Sequence, residues 1–232
     1  MTDRAVSRET PRLVAVVGTG TEVGKTHASV ALVAALAAEG RKVCGLKPIE
    51  SGVSPGVLTD AARLAAVSSA PCAAAPYQFE APVSPHLAAR STGVTISVEA
   101  AARWVLDQVA EVLVVETAGA LLSPLGPGLT NLDLVRALRP EALVLVGLDR
   151  LGILHEVAAC QVALRALAPE LPEPVVVLNA PAVRDASSGT NAGELRTLGV
   201  VSRVVGMPRG ESLEPESLRV MGEVVGWVVS HG

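Results

Sequence analysis

Apolar residues along this chain fall into short, nearly unbroken runs, and between them lie stretches with apolar positions at helical spacing. Such runs occur at residues 13–17 (LVAVV), 42–47, 111–116, 142–146, 174–179 and 200–205. Runs of this length without polar alternation fit strands buried on both faces. Helical patterning covers residues 24–40, 59–67, 97–110, 131–138, 153–167 and 191–198, and a final helix runs to about residue 229. Strands alternating with helices predict a doubly wound α/β fold: a mainly parallel sheet flanked by helices, a three-layer sandwich with right-handed crossovers.

Residues 51–93 interrupt this rhythm, being rich in proline, serine and alanine with little strand pattern. Within them, residues 75–86 (APYQFEAPVSPH) hold Tyr77 and Phe79 in a proline-rich loop, expected to be an ordered pocket wall. His86 there is read as a hydrogen-bonding residue rather than a catalytic one. Trp104 is expected on a buried helix face. Residues 1–11 read as a loose polar tail. Residues 12–232 read as one domain, with no linker and no internal repeat.

Composition narrows the function. Half of the 232 residues are hydrophobic, ample for a core covered on both sides. A net charge of −4 and 2% aromatic content argue against nucleic-acid and acidic-membrane partners. The first eleven residues carry no apolar segment of signal-peptide length and apolar runs elsewhere stop well short of a membrane span, so a cytoplasmic location is expected. Cys44, Cys72 and Cys160 show no metal-ligand spacing and are expected to be reduced thiols.

The chemistry concentrates in GTGTEVGKT, Gly18 to Thr26, between the first apolar run and an alanine-rich helical stretch. Strand, glycine-containing loop and helix in that order are the context of a phosphate loop. Glycines let backbone N–H groups turn inward around a polyphosphate, and the helix start adds the positive end of its dipole. Lys25 is placed to reach the outer phosphates and Thr26 to ligate Mg2+. Five residues separate Gly18 from Gly24, one more than the usual four.

Other candidates lie at strand ends, where open α/β sheets place ligands. Lys47 ends its run before PIESG. Glu116 ends the run at 111–116, where a carboxylate is costly unless paired or holding a cation. Asp60 opens the helix at 59–67, where capping is the ordinary use of aspartate. Thr26, Asp60 and Glu116 together fit the one or two carboxylates that magnesium takes beside ATP phosphates. Asn179 ends another run, placed either to read a base edge or simply to form a turn.

With these positions marked, the chain resembles the dethiobiotin synthetase family. GTGTEVGKT is similar to that family's GTDTEVGKT, extra loop residue included. The segment from Lys47 to Gly52 resembles KPxxSG, residues 75–86 resemble PY-x-F-x-x-P-x-SPH, and residues 115–119 resemble the start of VEGAGG. The resemblance implies that 7,8-diaminopelargonate, CO2 (or bicarbonate) and ATP give dethiobiotin, ADP and phosphate, through a carbamate and its phosphorylated anhydride. It implies Lys25 and Lys47 as the catalytic cations, with Thr26, Asp60 and Glu116 holding Mg2+. ATP would be bound by Gly18, Thr21, Glu22, Val23, Gly24, Lys25, Thr26, Asn179 and Pro208. The diamine or carbamate would meet Thr21, Lys47, Ser51 and Gly152, and a homodimer is implied.

This chain departs from the family pattern at Gly20, where an acid is usual, and at Thr117 and Ala120, which replace two glycines and would crowd the site. LG-x-x-NH, which the resemblance assigns to the substrate's carboxylate tail, stands as Leu151 to His155, one residue shorter. Cobyrinate-type amide synthetases share the ATP domain but need a glutamine amidotransferase domain that 232 residues leave no room for. A partitioning-type switch ATPase would carry a lysine early in the phosphate loop, and residues 18–23 contain none. A non-catalytic or differently specific ATP-binding paralogue is the remaining alternative.

Overall fold

The computed structural model describes residues 10–229. Residues 1–9 of the expected tail therefore lie outside the described residues. In chain order the elements are Arg12–Gly18 (β1), Lys25–Ala38 (α1), Val43–Leu46 (β2), Ile49–Ser51 (β3), Asp60–Val67 (α2), Tyr77–Phe79 (β4), Pro85–Ser91 (α3), Val98–Leu106 (α4) and Val112–Glu116 (β5). They continue as Pro124–Gly126 (β6), Leu129–Thr130 (β7), Asn131–Leu138 (α5), Ala142–Leu148 (β8), Ile153–Leu167 (α6), Val175–Asn179 (β9), Asn191–Thr197 (α7), Val204–Met207 (β10) and Pro215–Val229 (α8).

Six strands form one sheet in the order β10-β9-β8-β1-β5-β2, every pairing parallel. The period-2 geometry of a strand explains why the apolar runs are continuous. On β1, Leu13, Ala15 and Val17 join one core with α4, α5 and α6, while Val14 and Val16 join a second core with α1 and α8. Both faces are thus dry, and a polar residue survives only where the strands end.

Parallel pairing puts all those ends on one edge. Gly18 ends β1 at the centre of the sheet, opposite Val146 of β8 and two residues beyond the pairing of Val16 with Glu116 of β5. Lys47 follows β2, and Asn179 closes β9.

Several expectations need correction. The last strand lies at Val204–Met207 rather than at 200–205. After α7 the chain turns at Gly199 (φ 65°), and the amides of Val200 and Val201 bond back to the Leu195 carbonyl, so these valines fill a turn. Residues 75–86 are not all loop. Tyr77–Phe79 pairs in parallel with Ile49–Ser51, and Pro85–Ser91 is helical. Trp104 is only partly buried. Of the three cysteines, Cys44 and Cys72 are joined as a disulfide at a Cα separation of 5.8 Å, because β2 and the loop after α2 run side by side. Cys160 is the free thiol, and burial pushes it up to about 11.

Candidate active site

The phosphate loop is held from three sides. Its Thr19 amide bonds to the Val146 carbonyl of β8 at 2.9 Å, and the Thr19 hydroxyl donates to Glu156 of α6 at 2.9 Å. Lys25 Nζ folds back onto the Gly20 carbonyl at 3.2 Å. The Asn179 side-chain amide donates to the carbonyls of Val23 (2.7 Å) and Gly24 (3.0 Å).

Two glycines are sterically required. A Cβ on Gly18 would lie 2.9 Å from the Gly20 carbonyl oxygen, and one on Gly24 would lie 2.5 Å from Asn179 Nδ2. Gly24 also has φ 82°, the left-handed region. It precedes α1 without any side-chain cap, so the first-turn N–H groups stay open to an anion.

In front of this loop is a cavity of about 450 Å³ bordered by Thr21, Lys25, Thr26, Lys47, Ser51 and Glu116, among others. One contact organises its floor. Lys47 Nζ lies 2.6 Å from Asp60 Oδ2 and 2.8 Å from Glu116 Oε1, with Glu116 fully buried and Lys47 nearly so. Burial alone would lower the Lys47 pKa, but the two carboxylates outweigh it and hold the ammonium above its ordinary range. Asp60 goes the other way: burial would raise it, and Lys47 with the Thr26 hydroxyl brings it below its ordinary value.

Lys25 has no such close partner. Burial pushes it down to about 8, with Glu116 opposing the shift and Lys47 adding to it. Two lysines in one cavity therefore differ: Lys47 is held firmly charged, whereas Lys25 stays charged at neutral pH by a smaller margin that an incoming anion would widen.

The residues also fit a magnesium ion. Thr26 Oγ1 donates to Glu116 Oε1 at 2.9 Å, which brings Thr26, Asp60 and Glu116 together around Lys47. Glu116 Oε2 is buried without a hydrogen-bond partner, an acceptor that a cation would satisfy. Among the described residues no three His, Cys, Asp or Glu side chains form a metal-binding group, and magnesium with phosphate and water needs only one or two carboxylates.

A second cavity, about 420 Å³, opens on the other side of Glu22 and Gly24, with Asn179, Pro208 and His27 on its walls. The Asn179 amide nitrogen is committed to the phosphate loop. Its Oδ1 is buried without a partner, so Asn179 offers a ligand an acceptor only.

Not every expected residue arrives. Gly152 (φ 98°) precedes α6 and borders neither of these cavities. α6 runs unbroken from Ile153, and an ungapped register is available in which His155 and Glu156 stand where LG-x-x-NH has asparagine and histidine. Thr117 does not crowd the site: it is buried and its hydroxyl turns back to the Val16 carbonyl at 3.3 Å. His86 bonds Ser84 at 2.9 Å and borders a separate apolar cavity beside α3.

Other contributors escape a reading of the sequence. Glu50, buried, accepts from the amides of Asp60 (2.7 Å) and Ala61 (3.3 Å) and so fixes the start of α2 that presents Asp60. Asn131 holds the carbonyls of Ala118 and Ala120 on the loop after Glu116. Glu50 lies within the KPIESG segment, so its acid near a strand end was the available signal. Asn131 and Glu156 carried none.

A family model described as an AAA domain matches residues 12–217. Among curated relatives, the chain is 40% identical over 163 residues to the ATP-dependent dethiobiotin synthetase BioD of a Caulobacter species, covering 65% of this chain and 69% of that protein. A protein of the same name from Nitrosospira multiformis is 37% identical over 156 residues, with the same two coverages. Among solved structures, the septum site-determining protein MinD of Pyrococcus horikoshii, complexed with Mg-ADP, aligns with TM-score 0.58 at 14% identity over 94% of this chain and 96% of that one. A ParA family ATPase from Chlorobium tepidum gives 0.55 at 13% identity, over 96% and 93%. At these identities the two structures speak for the fold alone, a mainly parallel sheet flanked by helices.

The lowered Lys25 pKa has a consequence for stability. Its folded value, about 8, lies below the unfolded 10.5, so the unfolded chain binds more protons between them and this group's contribution rises with pH across that window. The full swing corresponds to ~3 kcal/mol. Denaturant unfolding of wild type and Lys25→Met at pH 7 and pH 9 tests it. The variant's advantage should shrink by about 1 kcal/mol or more as pH rises, and a constant difference would contradict the assignment.

Proposed function

Because the chain belongs to the dethiobiotin synthetase family, we propose that it joins 7,8-diaminopelargonate and CO2 into dethiobiotin at the expense of ATP. One amine of the substrate captures CO2 as a carbamate and loses a proton. A carbamate oxygen attacks the γ-phosphorus of ATP, and the bond to ADP breaks. The second amine then attacks the carbamoyl carbon, phosphate leaves, and the ureido ring closes.

The observation that carries this reading is the Lys47 ammonium set between Asp60 and Glu116, facing the same cavity as Lys25, Thr26 and Ser51. Transfer of a phosphoryl group between two anionic oxygens is catalysed mainly by positioning and by fixed positive charge. Held protonated by its carboxylates, Lys47 serves as a cation beside the carbamate and not as a base. Lys25, already mostly protonated at neutral pH with its pKa lowered to about 8, is held charged more firmly as the phosphates arrive. Thr21 and Ser51 contact the carbamate, and Thr26, Asp60 and Glu116 hold Mg2+, which when bound neutralises phosphate charge.

The base lies in the second cavity beside Pro208, with Asn179 Oδ1 accepting from an exocyclic amine. Adenine carries such a donor at its six-position, whereas guanine and hypoxanthine carry an acceptor. Gly152, which borders neither cavity, would meet the substrate's tail from the second subunit of a homodimer. The partitioning-type alternative rests on fold likeness alone.

Phosphate release from Mg-ATP and bicarbonate, with and without the diamine, tests the proposal. Release should require the diamine, and Lys47→Ala should slow it about 100-fold or more while still binding ATP. Diamine-independent release, or wild-type turnover in the variant, would contradict it. Separately, inosine triphosphate should bind about 5- to 100-fold more weakly than ATP, since it places an acceptor against Asn179 Oδ1. Equal affinities would remove Asn179 from base recognition.

A further inference from the structure

His27 follows Thr26 directly on α1, yet it faces the second cavity and not the first. Its Nδ1 lies 2.9 Å from the Ser212 hydroxyl. Ser212 belongs to residues 208–214, which leave β10 and form the outer wall of that cavity through Pro208, Arg209, Gly210 and Glu211. The same stretch is tied to α8 one residue before Ser212, where buried Ser217 donates to the Glu211 carbonyl at 3.1 Å. No other hydrogen bond among the described residues joins the wall to α1. The second ring nitrogen of His27 is buried without a partner, so Ser212 is the single hydrogen bond that holds the ring.

We propose that His27 and Ser212 form a latch that fixes the wall over the base and ribose to the helix that binds the phosphates. His27 is thus a positioning residue for the nucleotide, coupling two subsites that share one ligand. The wall has no strand pairing of its own over 208–214. Without the latch the wall is held to α8 at Glu211 but no longer to α1, and setting Pro208 to Gly210 against the phosphate-binding helix then falls to the nucleotide, which lowers affinity. The phosphate subsite, built from Gly24, Lys25 and Thr26, does not depend on the latch.

The inference rests on the second cavity accepting the base, and the test separates the two claims. Binding of ATP and of inorganic tripolyphosphate is measured by calorimetry for wild type, His27→Ala, Ser212→Ala, the double variant and His27→Asn. If the cavity takes the base, wild type prefers ATP to tripolyphosphate, and absence of that preference overturns the cavity assignment and the latch with it. Given the preference, either alanine variant should weaken ATP about three- to tenfold, the range for one lost hydrogen bond, and leave tripolyphosphate unchanged.

The double variant should be no worse than the single ones. His27→Asn, which keeps a polar group near Nδ1, should recover part of the loss. In turnover the alanine variants should raise KM for ATP and leave kcat within about twofold. ATP affinity equal to wild type in Ser212→Ala, a change at a half-buried residue outside α1, would overturn the latch. Equal loss of ATP and tripolyphosphate would overturn it as well, as damage to the phosphate loop.

Discussion

Glu116 ends the strand beside β1 with no exposure to solvent, and a bare carboxylate there would cost several kcal/mol. Its charge is tolerable because Lys47 arrives from the next strand, and Lys47 in turn holds Asp60. The remaining demands follow from this triad. β2 and β5 must be parallel neighbours so that both ends meet at one edge. α2 must start where Glu50 can accept from its first amides. Losing one member of such a pair costs ~3–5 kcal/mol, whereas a well-packed apolar replacement for both can be neutral. The arrangement is thus poor value as a staple and makes sense as a site.

The phosphate loop is the second half of the same logic. A loop of small residues cannot hold its own shape, so neighbouring elements hold it: Asn179 from β9, Val146 from β8, and Glu156 from α6. The amide that borders the second cavity thereby also sets the phosphate loop. The two cavities are thus coupled through one side chain.

Much of this was legible in the sequence, and for a physical reason. A strand buried on both faces reads as an apolar run, so the polar residue that ends it marks the sheet edge where ligands bind. Lys47, Glu116 and Asn179 all announced themselves in this way, and Thr21, Ser51 and Pro208 also prove to border the two cavities. Contacts between distant segments left no trace. His27 with Ser212 spans 185 residues, and Thr19 with Glu156 spans 137. The pairing of Cys44 with Cys72 depends on how the loop after α2 runs beside β2, which spacing does not encode. The last strand was misplaced because Val200 and Val201 have strand-like composition but spend their amides on the turn after α7. Thr117 looked obstructive only because side-chain direction is invisible in a string of letters.

The most direct measurement is the fate of carbon from isotopically labelled bicarbonate incubated with the diamine and Mg-ATP. Label is expected in the ureido carbonyl of dethiobiotin, with one ADP formed per product. Nucleotide binding without diamine-dependent label in any product would contradict it and leave a nucleotide-binding protein whose buried triad serves another substrate.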